Sequence, residues 1–197
     1  MANKIIRINL PADPEQMKEL HLGDEVRLYG TMITGRDMAH KYLVEEKPQE
    51  MREILKNNII YHCGPVVRKV NGEWTFIAAG PTTSIREETY TADVIREFHT
   101  IAAIGKGGMG PRTLKACQDY GAVYLHAVGG AGTLLAKRVV KVRDVFKLEE
   151  FGTPEAMWLI EVADFPVVVT MDAHGNSLHT KIDAISSEVR NKLIGLK

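Results

Sequence analysis

Three cations stand where a strand-like run of the sequence gives way to a helix-like run: Arg36, Arg86 and Lys106. Arg36 and Arg86 each fall in the first turn of a predicted helix, where a positive charge meets the positive end of the helix dipole at a cost of roughly 0.3 to 1 kcal/mol. Ligands of open α/β sheets bind beyond the carboxyl ends of the strands. Two guanidinium groups and one ammonium group suit a small molecule with two carboxylates. The pattern predicts one anion-binding mouth.

Lys106 lies within a glycine turn, GKGGMG, at residues 105–110. Gly105 and Gly107 on either side allow the backbone to approach a ligand closely, while the lysine supplies a point charge. The turn also fits the G-x-G-x-x-G motif of dinucleotide-binding folds. The next strand-like run ends without the acidic residue that would bind a ribose hydroxyl, so a smaller anion is favoured. A solvated loop lysine is the alternative that needs no ligand.

His40 and Asp37 are candidates for proton transfer on the helix that Arg36 opens. On a helix His40 lies one turn from Arg36 and three residues from Asp37, so the carboxylate could orient or charge the imidazole. The alternative is a surface histidine on an exposed helix face. His174 and His179 flank a turn with no cysteine or third histidine near them in sequence, so no metal site is expected there.

The stretch GPTTSIRE contains a helix-start motif and two further hydroxyl side chains. Ser84 and Glu87 fit a capping box, in which the serine oxygen accepts an N–H three residues on and the glutamate reaches back to the N–H of the serine. Thr82 and Thr83 are left unexplained by that motif. A threonine hydroxyl acts as a base only where cations favour its alkoxide or a relay takes its proton. By spacing alone, Thr82 is a hydrogen-bonding turn residue.

The elements that must position these residues alternate along the chain. Strand-like runs cover residues 4–10, 25–34, 59–64, 100–105, 122–128, 157–165 and 166–172, and helix-like runs cover 36–46, 49–58, 84–99, 111–121, 133–138 and 177–194. Thr34 and Asp37 form a second capping box before the helix at 36–46. Asn71-Gly72, between alternating apolar runs, predicts a two-residue β-hairpin. This order favours an α/β fold with a mixed sheet.

Composition narrows the class of protein. At 197 residues the chain suits one domain, residues 1–197. Basic and acidic residues balance at 25 each, so no overall charge favours nucleic acid or an anionic membrane. No apolar run approaches the roughly 20 residues of a membrane helix, and a cytoplasmic protein is expected. Cys63 and Cys117 are far apart and predict buried free thiols, without a disulfide, zinc or cluster site.

Five segments carry a resemblance to a known family: TGRDMAHK, YHCGPVVRK, GPTTSIRE, GKGGMGPRTLKACQDYGA and DAHGNS. In order and spacing they resemble the beta subunit of the iron-sulfur class I fumarate hydratases and L-tartrate dehydratases, and the likeness covers nearly the whole chain. The resemblance implies a swivelling β/β/α domain with a mixed sheet. It also implies a separate alpha subunit whose three cysteines hold a four-iron four-sulfur cluster, in a heterotetramer of two alpha and two beta subunits.

The resemblance assigns roles to individual residues. Arg36, Arg86 and Lys106 match the family's dicarboxylate clamp, and Thr82 matches the proposed base. His40 falls on a histidine that is also proposed as catalytic. With their neighbours, the expected substrate-binding set is Arg36, Thr83, Arg86, Lys106 and Gly107, and the expected catalytic set is Thr82, His40 and Asp37.

The reaction that the resemblance implies is the reversible hydration of fumarate to L-malate, by a chain that is inactive without its alpha subunit. L-Tartrate dehydration is the alternative, because both substrates carry the two carboxylates that these cations would bind. Two readings from other classes stay open: a nucleotide-dependent enzyme that uses GKGGMG, and a non-catalytic partner that only stabilises a cluster-bearing subunit. Saturable binding of NAD or ATP would favour the first. Full activity of an Arg86→Ala complex would favour the second.

Overall fold

The computed structural model describes residues 5–195 of the chain. The strands in this range are β1 (Ile6–Leu10), β2 (Glu25–Thr34), β3 (Ile59–Tyr61), β4 (Val66–Val70), β5 (Glu73–Ala78), β6 (Ala102–Gly105), β7 (Val123–His126), β8 (Val139–Phe146) and β9 (Met157–Met171). The helices are α1 (Pro14–Lys18), α2 (Asp37–Glu46), α3 (Gln49–Leu55), α4 (Glu88–Phe98), α5 (Pro111–Tyr120), α6 (Gly132–Ala136), α7 (Leu148–Phe151) and α8 (Leu178–Leu193). A 3₁₀ turn, Ser84–Glu87, directly precedes α4.

Seven strands form one mixed sheet in the order β1-β2-β3-β6-β7-β9-β8. The first five strands of this order are parallel to one another, and β9 is antiparallel to β7 and β8. Because β9 also pairs with β2, the sheet closes on itself like a small barrel. The predicted α/β fold with a mixed sheet is therefore confirmed.

The central parallel strands are buried on both faces. Side chains alternate across a strand, so Ile59 and Tyr61 of β3 join the large core inside the curved sheet, whereas Ile60 joins a second core beneath α2, α3 and α4. Ala103 of β6 and Tyr124 of β7 lie on the same helix side as Ile60. Double burial explains why these strands are short, nearly continuous apolar runs in the sequence.

The strand break that the sequence predicts before Pro166 does not occur, because β9 continues through this residue. Pro166 instead takes a regular place opposite β2. The irregularity of β9 lies two residues earlier, where Asp164 adopts a φ of 54° and the register with β2 shifts. The partner strand accommodates the irregularity at Gly30, whose φ is 107° and where a Cβ would lie 2.3 Å from the carbonyl oxygen of Leu10. The prediction of two separate strands over 157–172 is therefore wrong, because β9 continues through Pro166 as one strand.

The predicted capping box at Thr34 is also wrong. Arg36 is the N-cap residue of α2 and its own side chain makes no capping hydrogen bond, whereas Glu155 accepts the N–H of Met38 in the first turn at 3.2 Å. The Thr34 hydroxyl is used in the sheet, where its oxygen accepts the backbone N–H of Trp158 at 3.0 Å. A tertiary partner more than a hundred residues away has displaced the local motif.

The other predicted elements are found with small changes of boundary. The hairpin is confirmed: β4 and β5 meet at Asn71 and Gly72, whose positive φ values of 52° and 84° belong to a two-residue turn of the primed type. The first predicted strand begins at Lys4, which lies outside the described residues. No helix between residues 5 and 195 combines the length and apolar character that crossing a bilayer requires.

Candidate active site

The carboxyl ends of β2, β3 and β6 lie side by side and carry the loops that hold the predicted site residues. Backbone hydrogen bonds continue past the strand ends. Gly35 N donates to Tyr61 O at 2.9 Å, and His62 N donates to Ile104 O at 2.7 Å. The loop after β2 is thus tied to the end of β3, and the loop after β3 is tied to β6. This edge is the one at which the sequence predicted an anion-binding mouth.

The segment that contains Thr82 is inserted into this edge between the loops that follow β3 and β6. Thr82 N donates to His62 O at 2.7 Å, and Lys106 N donates to Thr82 O at 3.1 Å. Ser84 N donates in turn to Lys106 O at 3.1 Å. The backbone of Thr82 is held on both sides, while its side chain is only partly buried. A hydroxyl on such a fixed backbone can be placed reproducibly against a ligand.

Lys106 and its neighbours form one half of the site. Thr83 and Lys106 make a parallel bridge, and a Cβ on Gly107 would lie 3.9 Å from Cγ2 of Thr83. Thr83 and Gly107 are exposed, and Gly107 has a φ of 81°. The aliphatic part of the Lys106 side chain passes Gly129, in the loop after β7. A Cβ added at Gly129 would lie 3.4 Å from Cδ of Lys106. Within residues 5–195 Lys106 has no ion-pair partner, so its charge is available to a ligand.

Arg36, Asp37 and Arg86 form the other half of the site, together with Glu155. Arg86 makes an ion pair with Asp37 at the start of α2. Nη2 of Arg36 lies 3.3 Å from Oε1 of Glu155, and both of these side chains are about four-fifths buried. Each guanidinium group therefore already contacts a carboxylate of the same chain, and a ligand must share or replace that carboxylate.

The charge of Arg86 is compensated within the protein, contrary to the prediction from the helix dipole. Arg86 lies in the 3₁₀ turn before α4, and the first turn of α4 itself carries Glu88. Asp37 supplies the nearby negative charge that the sequence alone could not place. The reversed charge is thus compensated within the protein and does not by itself require a bound anion.

The amino end of α5 is filled by a side chain. Glu88 accepts the backbone N–H groups of Gly110 at 2.8 Å and Arg112 at 2.9 Å, and the Thr113 hydroxyl at 2.6 Å. In a dinucleotide-binding fold this helix start would face the pyrophosphate. Because a carboxylate already occupies these donors, the geometry disfavours the nucleotide reading of GKGGMG.

His40 is fully buried, so the alternative of a surface histidine is wrong. Its Nδ1 lies 2.9 Å from the carbonyl oxygen of Arg36. A carbonyl oxygen only accepts, so Nδ1 carries the proton and Nε2 presents a lone pair, for which there is no partner among the described residues. Burial lowers the pKa of His40 to about 4, against smaller raising effects of the Arg36 carbonyl and the Asp37 charge. Asp37 is paired with Arg86, and His40 holds the backbone at Arg36.

Replacing His40 by Asn should make the protein less sensitive to acid. In the native protein His40 stays neutral down to about pH 4, whereas in the unfolded chain it binds a proton below its ordinary pKa of 6.5. The unfolded state therefore binds more protons between these values, and the free energy of unfolding falls as the pH falls, by up to about 1.4 kcal/mol per pH unit. Asn keeps a donor for the Arg36 carbonyl but does not titrate.

Urea unfolding of both proteins from pH 5 to 8.5 measures this difference. Above pH 7.5 the imidazole is neutral in both states, so the two stability curves should run parallel there. An unchanged acid slope in His40→Asn would contradict the buried neutral imidazole.

Glu87 is a residue of this site that the sequence did not reveal as one. Its side chain is fully buried, and neither carboxyl oxygen has a hydrogen-bond partner among the described residues. The predicted capping box with Ser84 is wrong, because no side chain caps the 3₁₀ turn. Burial, with the negative charge of Asp37 next in importance, raises the pKa of Glu87 to about 8, while Arg86 opposes this rise. Glu87 is thus protonated at pH 7, and it does not offset the positive charges of Arg36 and Arg86.

Replacing Glu87 by Gln should stabilise the protein at alkaline pH. Between pH 4.5 and 8 native Glu87 keeps a proton that the unfolded chain has lost, so the free energy of unfolding falls as the pH rises. His40 is present in both proteins, so its titration cancels in the comparison, and from pH 6.5 to 8 the variant should lose about 2 kcal/mol less free energy of unfolding than the native chain. Urea unfolding of both proteins at pH 6.5 and pH 8 measures this difference. If both lose the same free energy of unfolding, Glu87 is ionised in the native protein.

The structure brings the predicted site residues to one edge of the sheet, in two adjoining groups. One group contains Arg36, Asp37 and Arg86, and the other contains Thr82, Thr83, Lys106 and Gly107. His40 lies below this surface, with no exposed area. His62, at the end of β3, was missed although it follows a strand at the same edge. The rule that selected Lys106 would also have selected it.

The two cysteines are buried free thiols, as predicted. Burial raises the pKa of Cys63 and that of Cys117 to about 12, so both are protonated at neutral pH. An iron-sulfur cluster is held by a set of cysteine ligands, whereas this chain has two cysteines, which lie in different core clusters. No group of three or more His, Cys, Asp or Glu side chains within residues 5–195 is placed to hold a metal ion. The donors of this chain therefore do not fit a four-iron four-sulfur cluster.

The fold is an α/β fold whose predicted site residues, arginine, lysine and threonine side chains among them, gather at the carboxyl edge of its parallel strands. A family model described as Fumarase C-terminus matches residues 1–182 of the chain. The chain belongs to this family. The resemblance that the five sequence segments indicate is confirmed.

Similar proteins carry two different names. The chain is 50% identical over 187 residues to the "Putative fumarate hydratase class I" of Geobacillus stearothermophilus, covering 94% of this chain and 35% of that protein. It is 42% identical over 185 residues to the "Putative L(+)-tartrate dehydratase subunit beta" of Methanocaldococcus jannaschii, with 92% and 95% covered. It is 34% identical over 188 residues to the "L(+)-tartrate dehydratase subunit beta" of Escherichia coli strain K12, with 95% and 92% covered. The chain thus spans about a third of the first protein and nearly all of each beta subunit.

Proposed function

We propose that residues 1–197 form the beta subunit of a class I iron-sulfur hydro-lyase that catalyses the reversible hydration of fumarate to L-malate. One observation carries this proposal: the residues that match the family's clamp and base, Arg36, Arg86, Lys106 and Thr82, lie along one edge of the sheet. The relative with 50% identity, named a fumarate hydratase, favours fumarate. L-Tartrate dehydration is the second candidate, favoured by the relatives whose whole length the chain spans.

The cations of this chain bind the two substrate carboxylates. Lys106 is the available charge, whereas Arg36 and Arg86 exchange the carboxylates of Glu155 and Asp37 for those of the substrate. Arg86 is the easier of the two to redirect, since 52% of its side chain is exposed against 21% for Arg36. Preorganised cations of this kind stabilise the negative charge that develops as the proton leaves carbon.

Thr82 takes the proton from the carbon next to the one that bears the leaving hydroxyl. A threonine hydroxyl has to be activated for this, and Lys106, bonded through its backbone to Thr82, is the nearby cation that favours the alkoxide. The held backbone keeps the hydroxyl at a constant position relative to the clamp. Orientation of this type accounts for a large part of enzymatic rate enhancement.

The four-iron four-sulfur cluster belongs to a separate alpha subunit in this proposal, since the thiols of this chain do not fit it. When bound there, it supplies a Lewis acid for the leaving hydroxyl group. The proposed complex contains two alpha and two beta subunits in the cytoplasm, and the beta chain alone is inactive.

Reconstitution tests the proposal. The chain is mixed under anaerobic conditions with a candidate alpha subunit from the same organism, and the complex is assayed on L-malate, fumarate and L-tartrate. Each subunit alone, and the complex without its cluster, are the controls. Turnover of malate and fumarate supports the main proposal, and turnover of tartrate alone supports the second candidate. A cluster-loaded complex that converts none of the three, or a chain that binds NAD or ATP saturably, would overturn both.

A further inference from the structure

A chain of buried polar side chains runs beneath the Thr82 segment. The Tyr124 hydroxyl donates to Oγ of Ser84 at 2.9 Å, and Oγ of Ser84 lies 2.8 Å from Nδ1 of His62. All three residues are fully buried. With the tyrosine donating to its oxygen, Ser84 is free to donate its own proton to Nδ1, which leaves the imidazole proton of His62 on Nε2.

On its α2 side, His62 packs against a second buried imidazole, that of His40. The rings of His62 and His40 meet edge to face, with centroids 4.9 Å apart. His40 in turn donates to the carbonyl oxygen of Arg36. Burial lowers the pKa of both imidazoles, so neither carries a charge at neutral pH. The hydrogen-bonded part of this cluster ends at His62, because Nε2 of neither imidazole has a hydrogen-bond partner among the described residues, and His62 meets His40 only through ring packing.

Gly105 leaves the space that the Ser84 and Tyr124 hydroxyl groups require. A Cβ at position 105 would lie 1.7 Å from Oγ of Ser84 and 3.2 Å from the Tyr124 hydroxyl. Its φ is not positive, so backbone freedom does not explain the glycine. The first glycine of GKGGMG therefore serves the buried contact, independently of any phosphate.

The backbone bonds around this chain connect it to Thr82. His62 supplies the carbonyl that holds Thr82 N, and Ser84 N is bonded to the carbonyl of Lys106. Buried polar groups contribute little net stability compared with well-packed apolar ones, and each unpaired group costs free energy. Stability alone would be better served by apolar side chains at these positions, whereas hydrogen bonds impose a defined geometry.

We propose that Ser84, His62 and Tyr124 are positioning residues, which set the Thr82 hydroxyl against Lys106. None of the three touches substrate in this arrangement. The proposal rests on the proposed function, because it assigns these side chains to the proton-transfer step of that reaction. A small displacement of a catalytic group can reduce a rate by up to ~100-fold. The loss of one hydrogen bond among Tyr124, Ser84 and His62 should therefore lower kcat by less than this.

Ser84→Ala and Tyr124→Phe test the proposal, since each removes one hydroxyl and nearly preserves volume. In the reconstituted complex we expect Ser84→Ala to lower kcat by roughly 10-fold, with KM changed less than about 2-fold, and Tyr124→Phe to act in the same direction but less strongly. The primary isotope effect on kcat, with substrate deuterated at the carbon that loses its proton, should rise in both. His62→Asn, which retains a polar atom near the Nδ1 position, should keep more activity than His62→Ala.

Amide hydrogen exchange of the chain alone provides a readout that does not depend on activity. In Ser84→Ala the amides of Thr82 and Lys106 should lose protection, while that of Ile8 in β1 should not change. Unchanged exchange at the first two amides overturns the proposal, whatever the reaction is. Normal kcat and an unchanged isotope effect in all variants also overturn it, even if the free energy of unfolding falls. A wild-type complex without hydro-lyase activity contradicts the proposed function instead.

Discussion

Thr82→Ala is expected to lower kcat for malate dehydration by about 10²- to 10⁴-fold in the complex with the alpha subunit, which is the range for loss of a positioned general base. Alanine removes the hydroxyl and leaves the backbone donor to His62 and the backbone acceptor from Lys106 in place. The clamp for the two carboxylates is then intact, so KM should change much less than kcat. Steady-state kinetics on malate, with the reverse reaction on fumarate, measure both.

Two variants bracket this result. Thr82→Ser keeps a hydroxyl on the same backbone and should retain most of the activity. Thr75→Ala removes an exposed threonine from β5 of the hairpin, away from the site, and should leave kcat unchanged. Near-normal turnover by Thr82→Ala would show that another group takes the proton. The lone pair on Nε2 of His40 is not exposed on this surface and could not replace it without movement.

The position of the site could be predicted from the sequence because it depends on topology. Short apolar runs followed by Arg36 and Lys106 predict parallel strands and their carboxyl ends, and strands of a parallel sheet present those ends at one edge. The same reasoning required no knowledge of side-chain contacts. Both residues do lie at this edge, whereas the charge balance around them could not be derived from topology.

The partners of the site residues could not be predicted, because they come from distant parts of the chain. Ser84 fits a local capping motif, yet its hydroxyl bonds to His62, 22 residues away, and to Tyr124, 40 residues away. Arg86 finds Asp37 across 49 residues. A capping box contributes only about 1 kcal/mol, so a buried tertiary contact readily displaces it.

The burial of two polar side chains is the second property that could not be predicted from the sequence. His40 and Glu87 lie in register with the buried residues of α2 and α4, but side chains of these types are usually exposed, and both are fully buried. The altered pKa values of both groups follow from this burial before any effect of neighbouring charges. The protonation states of the site could be assigned only from the structure.

Lys106→Ala should lower kcat/KM by ~30-fold to 1000-fold, which corresponds to the loss of about 2 to 4 kcal/mol from one orienting charge. Lys106 is the most informative cation to remove, because it has no carboxylate partner within the described residues. Removing Arg36 would also leave the largely buried Glu155 without its ion pair, and lost stability would then mix with lost activity. For Lys106→Ala the free energy of unfolding should stay within about 0.5 kcal/mol of the native value.

The comparison with Lys106→Arg and Lys137→Ala separates charge from packing. Arginine keeps the charge but carries it on a bulkier planar group, beside a glycine at position 129 that leaves little room, so partial activity is expected. Lys137 is an exposed lysine after α6 and should be dispensable. If Lys106→Ala keeps full kcat/KM and Arg86→Ala does also, the clamp is supplied by the alpha subunit and this chain is a scaffold. If only Lys106 is dispensable, the two arginines bind both carboxylates, and the ion pairs with Asp37 and Glu155 must open when substrate arrives.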